Sequence, residues 1–442
     1  MENAQLCFDA MLHVMSFSAC KSIISLMETC HALYLAGARY LLEPGVALSC
    51  NNIILFASFM FAHEHTRFPY LREVTIDCDE DEDEDFDHTS DTHPAILAWI
   101  RLFTHPALAM KTLILQGADE LLRNEPIGRA LTAMTTLRHV TIHSTSPRTR
   151  AVVRSIASPL TSLTCCHPAP LDPVEASGPG APVTLLTPFA ASLQVVYCDF
   201  HGEDVERLRH IQPFPRVRRL GIAVEPPDAD FDGLIRGGPI SPAAYAHAFP
   251  NLDTLELVPN HSSSPQWQYL FHSVSAEVRR VNQEDQRQHG MWRALSACAG
   301  EVGSLYALGL VCGVASLRIW KDLRTVEEDF ETVLLDMRPE HLQLGVDFSG
   351  LEALLALLRD PRFAFVQAVS VDVVGKRRAD SDSDESDSSV EGDSGQDGTE
   401  PGESKEAEEE CSEVGEDGRW MSAAESEVAF YAVRSRSHCG SC

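Results

Sequence analysis

His63-Glu64-His65 sets two imidazoles around a carboxylate, the residue types of a zinc site or a general base. The spacing is wrong for either. Helix side chains meet at separations of three and four, as in His-Glu-x-x-His, and residues two apart diverge. The phrase reads as an exposed polar turn. Cys439-Gly-Ser-Cys442 has the gap of a metal or redox pair but no second pair to complete it. As a prenylation signal it lacks aliphatic middle residues. Asp77–Asp87 holds nine carboxylates. They lack the glycine and closing glutamate of an EF-hand loop, so they read as solvated charge. Neither Gly-x-x-x-x-Gly-Lys-Ser/Thr nor Gly-x-Gly-x-x-Gly occurs. With no nucleophile, base or metal set to name, the expectation is a protein that is not an enzyme and carries no cofactor or metal. Ser381 and Ser388 each have an acid three residues on, Asp384 and Glu391, a pattern that acid-directed kinases accept.

Binding chemistry is the remaining class, and charge narrows it. The 442 residues carry a formal net charge of −30. Asp77–Asp87 supplies −9 and Asp380–Asp417, seventeen carboxylates with one lysine, supplies −16, which leaves −5 for the rest. The folded part is therefore near neutral and has no extended basic stripe, so nucleic acid is not an expected partner. No apolar run reaches the roughly 18–20 residues of a spanning helix. Ile53–Ala62 and Gly303–Leu317 read as buried core helices, and no membrane partner is expected. The thirteen cysteines are scattered singly apart from Cys165–Cys166, and the N-terminus shows no secretory signal. Reduced thiols in cytosol or nucleus are the expectation. On that reading the acceptor pattern Asn260-His261-Ser262 is incidental, and Lys376-Arg-Arg378 is the start of a solvated linker.

The elements that would present a binding surface come from periodicity. Over residues 5–42, Leu6, Ala10, Met11, Val14, Met15 and Phe17, then Ile23, Ile24, Leu26, Met27 and Cys30, then Leu33, Tyr34, Ala38, Leu41 and Leu42 recur at helical spacing. Three short helices result, with Ser18 as a candidate cap and Pro44-Gly45 as the stop. From residue 68 a phrase repeats: Phe68-Pro-Tyr-Leu71-Arg-Glu-Val74-Thr-Ile76, Phe214-Pro-Arg-Val217-Arg-Arg-Leu220-Gly-Ile222 and Phe249-Pro-Asn-Leu252-Asp-Thr-Leu255-Glu-Leu257. Looser copies run through Met110/Leu113/Leu115, Leu137/Val140/Ile142, Leu160/Leu163/Cys165, Leu193/Val196/Cys198, Val314/Leu317/Ile319, His341/Leu344/Val346 and Val366/Val369/Val371. A loose apolar triplet arises by chance roughly 38 times at this composition. The signal is the shared Phe-Pro and copy spacings mostly between 23 and 39 residues. The last two apolar residues alternate inward on a short strand that the proline enters without needing a donor. Ala95–Thr104, Leu121–Met134 and Leu351–Leu358 read as intervening helices. Such units bury their apolar faces only by stacking.

The fold class is therefore α/β. A helical module over 1–45 precedes an irregular leucine-rich-repeat-like solenoid of short parallel strands and helices over 46–375. A disordered acidic loop at 77–93 interrupts it, and Cys166–Pro182 is a second loop. A disordered Ser/Asp/Glu/Gly tail follows over 376–418. A C-terminal segment, 419–442, has a short helix over Trp420–Arg436.

Phe8-Asp-Ala-Met-Leu-His-Val-Met-Ser-Phe17, Ile24-Ser-Leu-Met-Glu-Thr-Cys-His-Ala-Leu-Tyr34, Arg67-Phe-Pro-Tyr-Leu-Arg-Glu-Val-Thr-Ile76 and Val314-Ala-Ser-Leu-Arg-Ile-Trp320 carry a resemblance. Residues 1–375 resemble the F-box-like, leucine-rich-repeat-like proteins abundant in mushroom-forming fungi. The resemblance implies that the first module docks on a Skp-type adaptor of a cullin–RING ubiquitin ligase while the repeats hold a protein substrate. Family F-boxes open on Leu-Pro, a variable residue, then an acid and apolar residues. Leu6 and Asp9 match, and Cys7 stands where proline would be. Leu6, Cys7, Asp9, Met11, Leu12, Val14 and Met15 are the docking positions so implied.

Residues between the buried ones on each strand face outward on the concave side of such a solenoid. Glu73, Thr75, Thr112, Ile114, His139, Thr141, His143, Arg219, Glu256, Arg318 and Trp320 are the substrate-binding candidates, with Arg318 and Trp320 as anchors. Trp320 alternatively caps the core at a repeat edge. Two other functions fit the same sequence: a repeat scaffold with no ubiquitin role, or a chaperone whose acidic tail masks basic proteins.

Overall fold

The computed structural model describes residues 2–78, 93–143, 146–165, 182–198, 200, 202–224, 241–259, 265–320, 327–346 and 350–373. Most of the acidic loop, the 166–181 loop, the tail with Ser381 and Ser388, and the segment 419–442 lie outside the described residues. The chain divides into two compact units, and the described residues belong to the first, Met1–Arg377.

The periodic stretch at the N-terminus forms α1 (Glu2–Met15), α2 (Cys20–Met27) and α3 (His31–Leu42). Each is too short to hold alone. They share a small core of Met15, Ile23, Met27 and Leu33. Gly37 makes the closure of α2 on α3 possible, because a Cβ there would collide with the Met27 side chain. Ser18 does not cap α2. Its hydroxyl donates back to the Val14 carbonyl at 2.8 Å and finishes α1, while Ala19 precedes α2 without a side-chain cap.

Beyond them the chain alternates. The strands are β1 (Val46–Leu48), β2 (Glu73–Asp77), β3 (Thr112–Gln116), β4 (His139–Ile142), β5 (Ser162–Cys165), β6 (Val195–Cys198), β7 (Arg219–Val224), β8 (Thr254–Pro259), β9 (Ala294–Gly300), β10 (Gly313–Ile319), β11 (His341–Val346) and β12 (Ala368–Val373). They form one twelve-stranded parallel sheet in chain order. Between them come α4 (Ile53–Ala62), α5 (Glu64–Arg67), α6 (Pro94–Phe103), α7 (Asp119–Leu122), α8 (Glu125–Thr132), α9 (Pro147–Arg154), α10 (Pro182–Leu186), α11 (Gly202–Leu208), α12 (Pro242–Ala248), α13 (Pro265–His289), α14 (Val302–Leu308), α15 (Glu327–Met337) and α16 (Gly350–Leu358). Several helices start alike, with a capping side chain before a proline in the first turn. His93, Asn124, Ser146 and Ser241 accept from a backbone N–H of the helix that each precedes.

The repeated phrase explains the register. Val74, Leu113, Val140, Leu163, Val196, Leu220 and Leu255 lie side by side across successive strands. All are fully buried, at about 1.5–3 kcal/mol each for the side chain. The phenylalanines of the strict copies, Phe68, Phe214 and Phe249, are buried beneath them, and the rings of Phe214 and Phe249 stack at 5.4 Å. The prolines do not enter strands. Each sits second in a turn closed by the N–H of Leu71, Val217 or Leu252 donating to the phenylalanine carbonyl at 3.2–3.3 Å. Fixed φ at that turn position is what proline supplies.

Other readings change as well. The sequence pattern leaves β1 and β9 unmarked, and Leu121–Met134 is split between α7 and α8. The copy at His341/Leu344/Val346 is displaced by two residues, since Leu342 pairs with Leu317 and Leu344 with Ile319. Gly303–Leu317 is not one core helix. α14 stops at Gly309, whose φ of +58° is left-handed, and β10 follows. α13 is an addition, with Asn282 and Gln286 buried against the carbonyls of Ala307 and Gly309 at 2.9 Å.

Candidate functional site

One face of the sheet is covered by helices. The other shows the alternate residues of the strands, most of them half-buried or exposed. Register sorts the candidates on this open face into two rows. Glu73, Thr112, His139, Ser162, Val195, Arg219 and Thr254 form one. Thr75, Ile114, Thr141, Thr164, Tyr197, Gly221 and Glu256 form the other. The parity that buries one set necessarily raises the other.

Arg219 and Glu256 are engaged with each other. The Arg219 Nε and Nη2 donate to Glu256 Oε1 at 3.0 and 2.7 Å, and Tyr197 donates from its hydroxyl to Glu256 Oε2 at 3.0 Å. Tyr197 is not among the sequence candidates, because a tyrosine in a Val-Val-Tyr-Cys phrase reads as one more apolar strand residue. Its reach depends on Gly221, where a Cβ would collide with the phenol ring. Three consecutive strands thus share one polar cluster, and neither member of the ion pair is a free anchor.

Elsewhere the face is less committed. Burial pushes the Glu73 carboxyl above its ordinary range. Burial, then the charges of Arg138 and Lys111, hold the His139 imidazole below its own. His143 is half-buried just past β4, its N–H donating to the Leu115 carbonyl at 2.9 Å. Arg318 is exposed on β10. Trp320 is half-buried past the strand end, its N–H on the Gly300 carbonyl at 3.2 Å. The two anchors therefore stand at different depths.

The helical module shows a second surface. Leu6 and Cys7 fall within α1, and their side chains lie outside the described residues. Asp9 is exposed, and Met11 and Leu12 are half-buried against the module core. Val14 is 50% exposed but Met15 is 1% exposed. Met15 fills the centre of the three helices and offers no surface for docking, which corrects its place among the implied positions. Phe17, Ile24, Leu35, Ile54 and Leu55, none of them among those positions, are exposed at 38–77%. With Val14 they make six of the twelve large exposed apolar side chains among the described residues, concentrated in α1 to α4.

Arg67 ties the module to the sheet unit. It is fully buried, its guanidinium 4.8 Å from the Tyr34 ring centroid and 3.7 Å from that of Phe59, with Nη1 donating to the Phe59 carbonyl. Nε and Nη2 have no hydrogen-bond partner. Of the His63-Glu64-His65 phrase, His63 packs edge-on to Tyr34 and Glu64 lies 3.5 Å from His105. Among the described residues no helix is long and apolar enough to cross a membrane. No protein-family model matches the chain, and no curated protein matches it in sequence.

Proposed function

We propose that the chain is an F-box-like substrate-recognition protein. Its helical module docks on a Skp-type adaptor of a cullin–RING ubiquitin ligase, and a leucine-rich-repeat-like solenoid holds the protein substrate on the open face of its sheet. The supporting observation is the pairing of two unlike surfaces. A three-helix cluster with its own core exposes Val14, Phe17, Ile24 and Leu35, and it leads directly into parallel strands stacked in chain order. An apolar helical surface of this kind suits a stable partner, which would bury on the order of 1,200–2,000 Å² in total. The stacked strands offer a long polar face for a second one.

The test is affinity purification of the full chain and of a chain lacking residues 1–45, with the captured proteins identified by mass spectrometry. Capture of a Skp-type adaptor by the full chain alone is the expected result. Its absence from both sinks the ubiquitin reading.

A scaffold with no ubiquitin role is the second reading, and α1 favours it. The helix runs through Cys7, which stands where the family has the proline of its opening Leu-Pro. Cys7→Pro would force the helix to begin there. A large gain in adaptor affinity on that substitution supports the first reading, and no gain supports the second.

A further inference from the structure

Where the chain enters β2, β3 and β4, the residues just before each strand are Arg72, Lys111 and Arg138. They are stacked by the backbone itself. The Lys111 N–H donates to the Arg72 carbonyl at 2.7 Å, and the Arg138 N–H to the Lys111 carbonyl at 2.8 Å. Neighbouring strands are about 4.8 Å apart, so three cations fall along about 10 Å of sheet edge. The same column continues to Arg218, just before β7, where the outcome differs: Arg218 lies 3.5 Å from Asp253. Among the described residues no carboxylate answers the first three. Among the described residues Arg72 and Lys111 make no ion pair, and the Arg138 guanidinium donates only to the Leu137 carbonyl at 2.9 Å. Glu73, the nearest acid in sequence, lies towards Gly45, and its carboxyl is pushed up by burial with no opposing pull from a cation. The charges of Lys111 and Arg138 both act to lower the His139 imidazole, so the two lie near the start of the open-face row. Next to this rim the face is lined by hydroxyls of Thr75, Thr112, Thr141, Ser162 and Thr164.

We infer that this basic rim and its hydroxyl floor form the docking site for an extended, carboxylate-rich segment of the substrate protein. The inference rests on the reading of the open face as a substrate surface and adds the chemistry of what it takes. Complementarity is the ground. Three uncompensated cations in a row attract carboxylates, and the hydroxyls donate to whatever acceptors the cations leave unused. An extended peptide advances about 3.3 Å per residue, so three or four residues cover the rim. Nucleic acid fits less well, because three contacts neutralise few of the phosphates that a bound strand presents.

The test uses the full-length chain and fluorescein-labelled peptides read by anisotropy: ten glutamates, ten glutamines, and a twelve-base oligothymidylate as the nucleic-acid probe. The expected result is salt-sensitive binding of the glutamate peptide, with the glutamine peptide silent. R72Q/K111Q/R138Q should weaken it about tenfold or more. R129Q/R148Q/R154Q removes the same charge from exposed positions on α8 and α9 and should leave binding unchanged. Adaptor capture in the same preparations reports on the module separately and should survive both triple variants. Equal loss in both variants would reduce the effect to net charge and overturn the site. So would tighter binding of the oligonucleotide, or no glutamate-peptide binding while adaptor capture persists.

Discussion

Tyr197 on β6 reaches over Gly221 on β7 to donate to Glu256 on β8, spanning three strands with one side chain. The phenol also lies 5.7 Å from the Arg219 guanidinium, which itself holds Glu256. A tyrosine that crosses a strand needs that strand to have no side chain at the crossing point, and glycine meets the need. Gly221→Ala should therefore destabilise the protein by about 1–3 kcal/mol through overpacking. Adding Tyr197→Ala should recover most of that loss, giving a coupling of about 1 kcal/mol or more in a double-mutant cycle. Denaturant midpoints of the four proteins check it. Additive losses would mean that the ring and the glycine do not meet.

Arg67 makes a second expectation, because its charge is buried with donors unmet. Two aromatic faces compensate part of the desolvation cost. Arg67→Ala would leave a cavity between Tyr34 and Phe59 and cost about 2–4 kcal/mol. Arg67→Met keeps most of the packing and removes the unmet donors, so its cost should stay under about 1 kcal/mol. Thermal melts separate the two. A methionine variant as damaged as the alanine one would show that the charge itself is required.

How far these features were legible in the sequence depends on which residues carried them. Phe-Pro followed by spaced aliphatics announced β2, β7 and β8, because the turn, the ring beneath it and the two inward residues each leave a letter. β9 left little: its inward positions are Leu295, Cys298 and Gly300, and small residues at strand positions do not register as a pattern. β1 follows Pro44-Gly45, which reads as an end and serves as a lead-in. Arg219 and Glu256 were found by parity alone, since outward positions follow from inward ones. That they hold each other was not legible, because β7 and β8 must first be placed in register. The same holds for Tyr197, and for Met15, whose burial depends on how three helices close. The basic rim lies on three separate stretches that only the ladder of backbone bonds aligns.

Acid should loosen the clasp around Asp285. Its Oδ2 accepts from Arg209 Nη2 at 2.7 Å and Ser241 Oγ at 2.8 Å, and Oδ1 lies 2.8 Å from His289 Nδ1. Burial alone would raise this carboxyl, but the bonds from Arg209 and Ser241, the Arg209 charge and the His289 contact hold it below the usual aspartate range. A carboxyl lowered on folding stabilises the fold above its unfolded value, near 3.9, and that contribution is lost as pH falls through the lower folded value. Asp285→Asn should cost about 1–3 kcal/mol at neutral pH. Its stability should then fall less steeply than that of the unaltered chain below about pH 4. Urea unfolding from pH 7 to pH 3 tests both. Parallel curves would remove Asp285 from the acid response.

The register of the strand that the sequence hid can be checked by chemistry. Leu48 pairs with Ile76, so Cys50 and Cys78 continue the two inward rows past the ends of β1 and β2, and their Sγ atoms are 3.4 Å apart. Lateral neighbours in a sheet, at about 4.8 Å, lie within the Cα range that a disulfide tolerates. Neither is in a disulfide, and they are 3% and 7% exposed. Diamide takes the two hydrogens and two electrons of such a pair and leaves a disulfide and the hydrazide. Treated with it, the folded chain should give a Cys50–Cys78 crosslinked peptide in a non-reducing digest. Burial makes the reaction slow, and about 2 M urea should speed it if local opening of the sheet end limits access. Cys50→Ser should abolish the crosslink and leave Cys78 alkylatable. A crosslink from Cys78 to any other cysteine would mean that β1 does not lie where the fold puts it.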